Sequence, residues 1–110
     1  MNSLSQYATA GEARVARKLV KLALKNLYKV SVNDGEETTV RRSTNEKEII
    51  DALATTDHDT VIIHEPLTGQ RIGSFLLIYG NAEDGSELIA DYTDNKDCDA
   101  LFRLVYGEEA

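Results

Sequence analysis

YKVSVNDGEETTVRR, residues 28–42, is where the chain changes its period. From Tyr28 onward the apolar residues alternate, with Tyr28, Val30 and Val32 pointing one way and Lys29 and Ser31 the other. Successive side chains of a strand face opposite sides, so this alternation predicts a strand with one buried face. Asn33-Asp34-Gly35 follows, three residues that tolerate positive φ, and predicts a tight hairpin returning through Thr38, Val40 and Arg42. A strand that turns back within a few residues pairs antiparallel, which sets the expected character of the sheet.

Upstream of this switch the period is helical. At about 100° per residue, Val15, Ala16, Leu19, Val20, Leu22, Ala23 and Leu27 fall on one broad arc. Arg14, Arg17, Lys18, Lys21 and Lys25, together with Lys29, occupy the complementary narrower arc. Thr9 and Glu12 have the spacing of a capping box, which places the helix start near Ala10. Gly11 is a poor residue for a first turn. Residues 1–8 are expected to fray.

Downstream, Ser43 and Glu46 repeat the capping-box spacing. Ile49, Ile50, Ala52 and Leu53 then form an apolar stripe that predicts a second helix over roughly residues 44–55. Thr60 to Glu65 and Ile72 to Tyr79 are apolar on both alternating faces, as in strands covered on two sides or facing a partner subunit. Pro66 to Gly69 supplies the turn between them. Gly80-Asn81 and Asp84-Gly85 mark the reversal into a last strand over 87–93. Asp94, with Asp97 in the box position, predicts a final helix that buries Cys98, Leu101, Phe102 and Val105 and stops at Gly107. The expected fold is a single α+β domain over residues 1–110, in two layers or three, with a mostly antiparallel sheet and the order α-β-β-α-β-β-β-α. Strand order is not legible.

Composition fits that size of fold. The 110 residues are 42% hydrophobic and 28% charged, ordinary values for one globular core, and a net charge of −7 does not signal disorder. One cysteine, Cys98, cannot form an internal disulfide, and no apolar run approaches the roughly twenty residues that cross a bilayer. Met1 to Ala10 lacks the basic start and apolar stretch of a secretory signal. A cytoplasmic protein without membrane contact is expected.

The charges are unevenly placed. Residues 1–32 hold six Lys/Arg against Glu12 alone, a net of +5, whereas residues 33–110 hold six against eighteen, a net of −12. Chemistry-bearing motifs do not accompany this asymmetry. Asp91, Asp94, Asp97 and Asp99 imitate a calcium loop, but Lys96 stands where glycine is needed and Phe102 where a bidentate glutamate belongs. Asp57-His58-Asp59 reads as a polar loop before a strand. Ser74 is outside a Gly-x-Ser-x-Gly elbow, and Cys98 sits on the apolar stripe of the last helix. No phosphate-binding glycine pattern occurs. The expectation is a non-enzymatic protein without cofactor or metal.

Two binding functions follow from charge. The first is an acidic surface that recognises a protein partner, as inhibitors, immunity proteins and nucleic-acid mimics do, with Asp57, Asp59, Glu83, Asp84, Glu87 and Asp91 as exposed contributors. The alternative is a nucleic-acid-binding or assembly module that uses Arg14, Arg17, Lys18, Lys21 and Lys25 on the basic helix face. The two-sided apolar strand over 72–79 adds the expectation of a homo-oligomer.

Overall fold

A computed structural model describes residues 7–107; most of the segment expected to fray, residues 1–6, lies outside it. Among the described residues, three helices and five strands follow the expected order: α1 (Ala10–Lys25), β1 (Lys29–Asn33), β2 (Thr38–Ser43), α2 (Glu46–Asp51), β3 (His58–His64), β4 (Arg71–Ile78), β5 (Ile89–Tyr92) and α3 (Lys96–Val105). The sheet order is β2-β1-β3-β4-β5, and every neighbouring pair is antiparallel. The hairpin β1–β2 thus lies on one side of β3 and the β4–β5 hairpin on the other.

The helices form one layer over one face, with α1 touching both α2 and α3. Register shows which side chains they cover. Val32 faces Val40 and Val61, Val61 faces Phe75, and Phe75 faces Tyr92, so these residues share the helix side. Phe75, Leu77, Val61, Ile63 and Val30 are completely buried there with Leu19, Val20, Ile49, Leu53 and Leu88. Each such side chain contributes roughly 1.5–3 kcal/mol relative to exposure. A stack of rings running Phe75, Tyr92, Phe102, Tyr106, with centroids 5.8, 4.6 and 5.1 Å apart, pins α3 to the sheet.

The central strands are therefore covered on one side only. On the other, the alternate residues Thr60, Ile62, Ser74, Leu76 and Ile78 are half-buried, and among the described residues no helix or strand lies over them. The architecture has two layers.

Several boundaries differ from the sequence reading for local reasons. Asn26 caps α1 and Leu27 adopts φ 71°, so Leu27 leaves the apolar arc and is 71% exposed, while Lys29 belongs to β1. The hairpin loop runs over residues 34–37, closed by the Asp34 N–H on the Glu37 carbonyl and by Asp34 Oδ1, which accepts the Glu36 and Glu37 N–H groups. Asn45 caps α2 by accepting the Glu48 N–H, and Ser43 instead donates to Glu48 Oε1 at 2.6 Å, which shortens the helix to Glu46–Asp51. Asn95 caps α3 through the Cys98 N–H, displacing Asp94 from that role.

Candidate functional site

The expected capping box at the start of α1 forms in full and also does something the spacing did not show. Thr9 Oγ1 accepts the Glu12 N–H, and Glu12 Oε1 accepts the Thr9 N–H. The same carboxylate accepts three further backbone N–H groups from the β4–β5 loop: Gly80 at 2.7 Å, Asn81 at 2.9 Å and Ala82 at 3.1 Å. Glu12 is completely buried. Burial raises its pKa, but the N–H groups of Gly80, Thr9, Ala82 and Asn81 outweigh that and hold it below the ordinary value. The only acidic residue of the basic N-terminal segment is thus an internal clamp.

Close packing reinforces the clamp. Gly11 donates its N–H to the Glu83 carbonyl at 3.1 Å, and a β-carbon at Gly11 would overlap that oxygen. Gly85, at φ +79°, sits against the Gly11 carbonyl and Val15. Thr9 Oγ1 donates to the Ala82 carbonyl and Tyr106 Oη to the Gly85 carbonyl, each at 2.9 Å. With its backbone turned inward to these partners, the loop exposes Glu83, Asp84 and Glu87 to solvent on a fixed frame.

Two more loops reach the same end of the sheet. Asn33 pairs with Thr60 and His58 with Ile78, so the β1–β2 loop (34–37), the α2–β3 loop (52–57) and the β4–β5 loop (79–88) are neighbours. Thr56 Oγ1 donates to the Asp34 carbonyl, and the Tyr79 N–H donates to the Asp57 carbonyl. Together these loops carry Asp34, Glu36, Glu37, Asp57, Glu83, Asp84 and Glu87, seven carboxylates, and no Lys or Arg. Six are exposed and Asp34 is half-buried. The Glu37 and Glu36 N–H groups lower the pKa of Asp34, and the Ser86 N–H lowers that of Asp84.

Of the six acidic residues expected to act together, Asp57, Glu83, Asp84 and Glu87 meet here. Asp91 does not: it lies on the edge strand β5, opposite Leu76, on the uncovered face of the sheet. Asp59 is a correction. Asp57 precedes β3, whereas strand alternation turns Asp59 away from His58 and under the helices, where it is completely buried. Its Oδ2 accepts the Ala54 N–H and the Tyr79 hydroxyl, both at 2.7 Å, and its Oδ1 has no hydrogen-bond partner among the described residues. Burial raises the pKa of Asp59, and burial beside this carboxylate raises that of Tyr79. Asp34, Glu36 and Glu37 were missed because only the strand order brings their loop beside Asp57.

The five cations of α1 stay on one side. Arg14, Arg17, Lys18, Lys21 and Lys25 span an arc of about 100° and are all exposed. Lys21 Nζ lies 3.9 Å from Glu46 Oε2, and among the described residues the other four form no ion pair. Arg14, Arg17, Lys18 and Lys21 line an open groove of about 780 Å³ with Ala8, Thr9, Ala10 and Ala13.

A Ser–His contact also escaped the sequence reading. Ser31 Oγ lies 2.8 Å from His64 Nε2, and His64 Nδ1 lies 3.0 Å from the Gly69 carbonyl. A carbonyl only accepts, so the network assigns the proton to Nδ1 and makes Ser31 the donor to Nε2. Ser31 Oγ in turn accepts the Arg42 N–H at 2.9 Å. Both side chains are buried, and Arg42 has φ 46°, so the pair secures the irregular end of β2 against β1 and β3. Burial lowers the His64 pKa; the Gly69 contact opposes this, and the nearby charges of Arg42 and Arg71 add to it. Asp57 and His58 form an exposed pair at 2.9 Å, but Asp59 points elsewhere, and no cluster of three metal-ligating side chains occurs among the described residues. Cys98 is buried against Gly73, and burial raises its thiol pKa. No helix among the described residues is long and apolar enough to cross a membrane. No protein-family model, no curated protein and no solved structure matches this chain.

Proposed function

We propose that the protein is a small non-enzymatic binding protein that recognises the cationic surface of a macromolecular partner through the acidic end of its sheet. The observation that carries this reading is the convergence of seven carboxylates from three loops with no Lys or Arg among them. A field of one sign accelerates encounter with an oppositely charged surface and disfavours partners of like charge. The β4–β5 loop is also held by backbone contacts to Thr9, Gly11, Glu12 and Tyr106, so little ordering is left to occur on binding. The partner class is a protein with a basic docking surface, of the kind that inhibitors, immunity proteins or nucleic-acid mimics occupy. A free, buried Cys98 suits a reducing cytoplasm.

The test is capture of partners from the source cells at about 50 mM and about 200 mM salt, using the native chain, an acid-end variant and an α1-stripe variant. The acid-end variant carries Glu36→Gln, Asp57→Asn, Glu83→Gln and Glu87→Gln, and the stripe variant carries glutamine at positions 14, 17, 18, 21 and 25. A partner retained by the native chain and the stripe variant, and lost by the acid-end variant and at high salt, supports the reading. Equal capture by all three chains removes it.

A second reading rests on the α1 stripe. Five exposed cations in one arc, only Lys21 having a carboxylate within 4 Å among the described residues, and a groove beside them, suit a nucleic-acid phosphate backbone. A shift of duplex DNA or of RNA at low salt, abolished in the stripe variant, would select this reading. The absence of any shift by the native chain would eliminate it.

A further inference from the structure

The uncovered face of the sheet has a pattern that the acidic end does not explain. Ile62, Leu76 and Ile78 lie on the adjacent strands β3 and β4 and are half-exposed, and none of them packs on the hydrophobic core. They share this face because Ile62 stands opposite Ser74, Thr60 opposite Leu76 and His58 opposite Ile78. A shallow depression of about 410 Å³ is walled by Leu76, Ile78 and Asp57.

The two ends of the face carry opposite charge. Lys29 and Arg71 stand on either side of His64 at one end, and Arg71 bonds Ser74 Oγ at 3.1 Å. Asp57, whose side chain is 80% exposed, borders the other end. A two-fold axis lying in the interface and perpendicular to the strands would place the cationic end of one copy over the acidic end of the other, twice. The apolar patch would meet its own copy between them. A self-complementary surface of this kind is what an isologous interface requires. We propose that this face is the seat of a symmetric dimer, in which a second copy of the chain packs sheet on sheet with its strands reversed, Ile62, Leu76 and Ile78 at the centre and Arg71 of each copy against Asp57 of the other.

The size is sufficient. The five strands, at ~4.8 Å spacing and about six residues each, cover roughly 24 by 20 Å, so two faces remove on the order of 1,000 Å² before side-chain relief is counted. Face-to-face sheets with their strands nearly aligned are a common packing. Asp57 is shared with the acidic end, but Glu36, Glu83 and Glu87 sit on loops beyond the end of the strands, so charge reversal at those three tests the acidic-end reading without touching the dimer face.

Sedimentation equilibrium of the full chain is the test, with circular dichroism confirming that each variant folds. The native chain is expected to dimerise, and Leu76→Lys to weaken the dimer at least a hundredfold. Because Leu76→Lys can impair folding, a charge swap on exposed side chains provides an independent arm: Arg71→Glu and Asp57→Lys each weaken self-association at least tenfold, and mixing the two chains restores a heterodimer. A native chain that stays monomeric up to about 1 mM overturns the proposal. So does a dimer indifferent to Leu76→Lys, or a mixture no tighter than either variant alone.

Discussion

The carboxylate of Glu12 and the amide of Gly80 meet at 2.7 Å inside the protein, although 68 positions separate them in the chain. That contact, repeated at Asn81 and Ala82, joins the first turn of α1 to the loop that displays Glu83, Asp84 and Glu87. The helix and the acidic end are therefore one mechanical unit.

Glu12→Gln keeps the shape and removes the charge that four backbone N–H groups share. A loss of roughly 1.5–3 kcal/mol is expected near neutral pH, measured by urea unfolding. The folded pKa of Glu12 lies below its ordinary 4.5, so the stability it contributes is complete above 4.5 and is lost as pH falls through the folded value. The gap between native and variant should therefore close as pH is lowered below 4.5. A gap constant over that range contradicts the clamp.

Gly11→Ala should destabilise by roughly 1–3 kcal/mol, because the new methyl group meets the Glu83 carbonyl. Helix propensity alone argues the other way, favouring alanine by about 1 kcal/mol. Urea titration gives the sign directly, and a stabilised Gly11→Ala chain would mean that helix and loop are not in contact.

Asp59 has the opposite linkage to Glu12. Burial raises its folded pKa above the ordinary 3.8, so its favourable contribution is complete below 3.8 and is lost as pH rises through the folded value. The stability of the native chain relative to Asp59→Asn should decline on going from acid to neutral pH. Tyr79→Phe removes one of two donors to Asp59 Oδ2 and should cost about 1–3 kcal/mol, more at neutral pH than in acid. Parallel pH profiles for native and Asp59→Asn chains would place Asp59 in solvent.

Much of this fold was legible from local pattern. Thr9 and Glu12 marked the helix start, residues 28–42 marked the first hairpin, and the double-sided strand over 72–79 became β4 with one covered face and one open one. What local pattern lacked was the order of strands, since pairing β1 with β3 depends on side chains thirty residues apart. For that reason the sequence reading missed Asp34, Glu36 and Glu37 at the acidic end, and Ser31 against His64. Asp59 was misplaced for a related reason. In Asp57-His58-Asp59 the strand begins at His58, two residues before the Thr60 start that polarity suggested, and its alternation carries Asp59 inside. Gly11 looked like a weak helix former because nothing near it in sequence announces the Glu83 carbonyl.

The acidic-end account is tested most directly by the association rate between the native chain and its captured protein partner, compared with a Glu36→Lys, Glu83→Lys, Glu87→Lys variant. These three side chains form no hydrogen bond among the described residues, so reversing them changes the field and leaves the loops intact. The expected result is a rate at least tenfold slower for the variant at about 50 mM salt, with the two chains converging at about 200 mM. Equal rates at low salt would contradict the account.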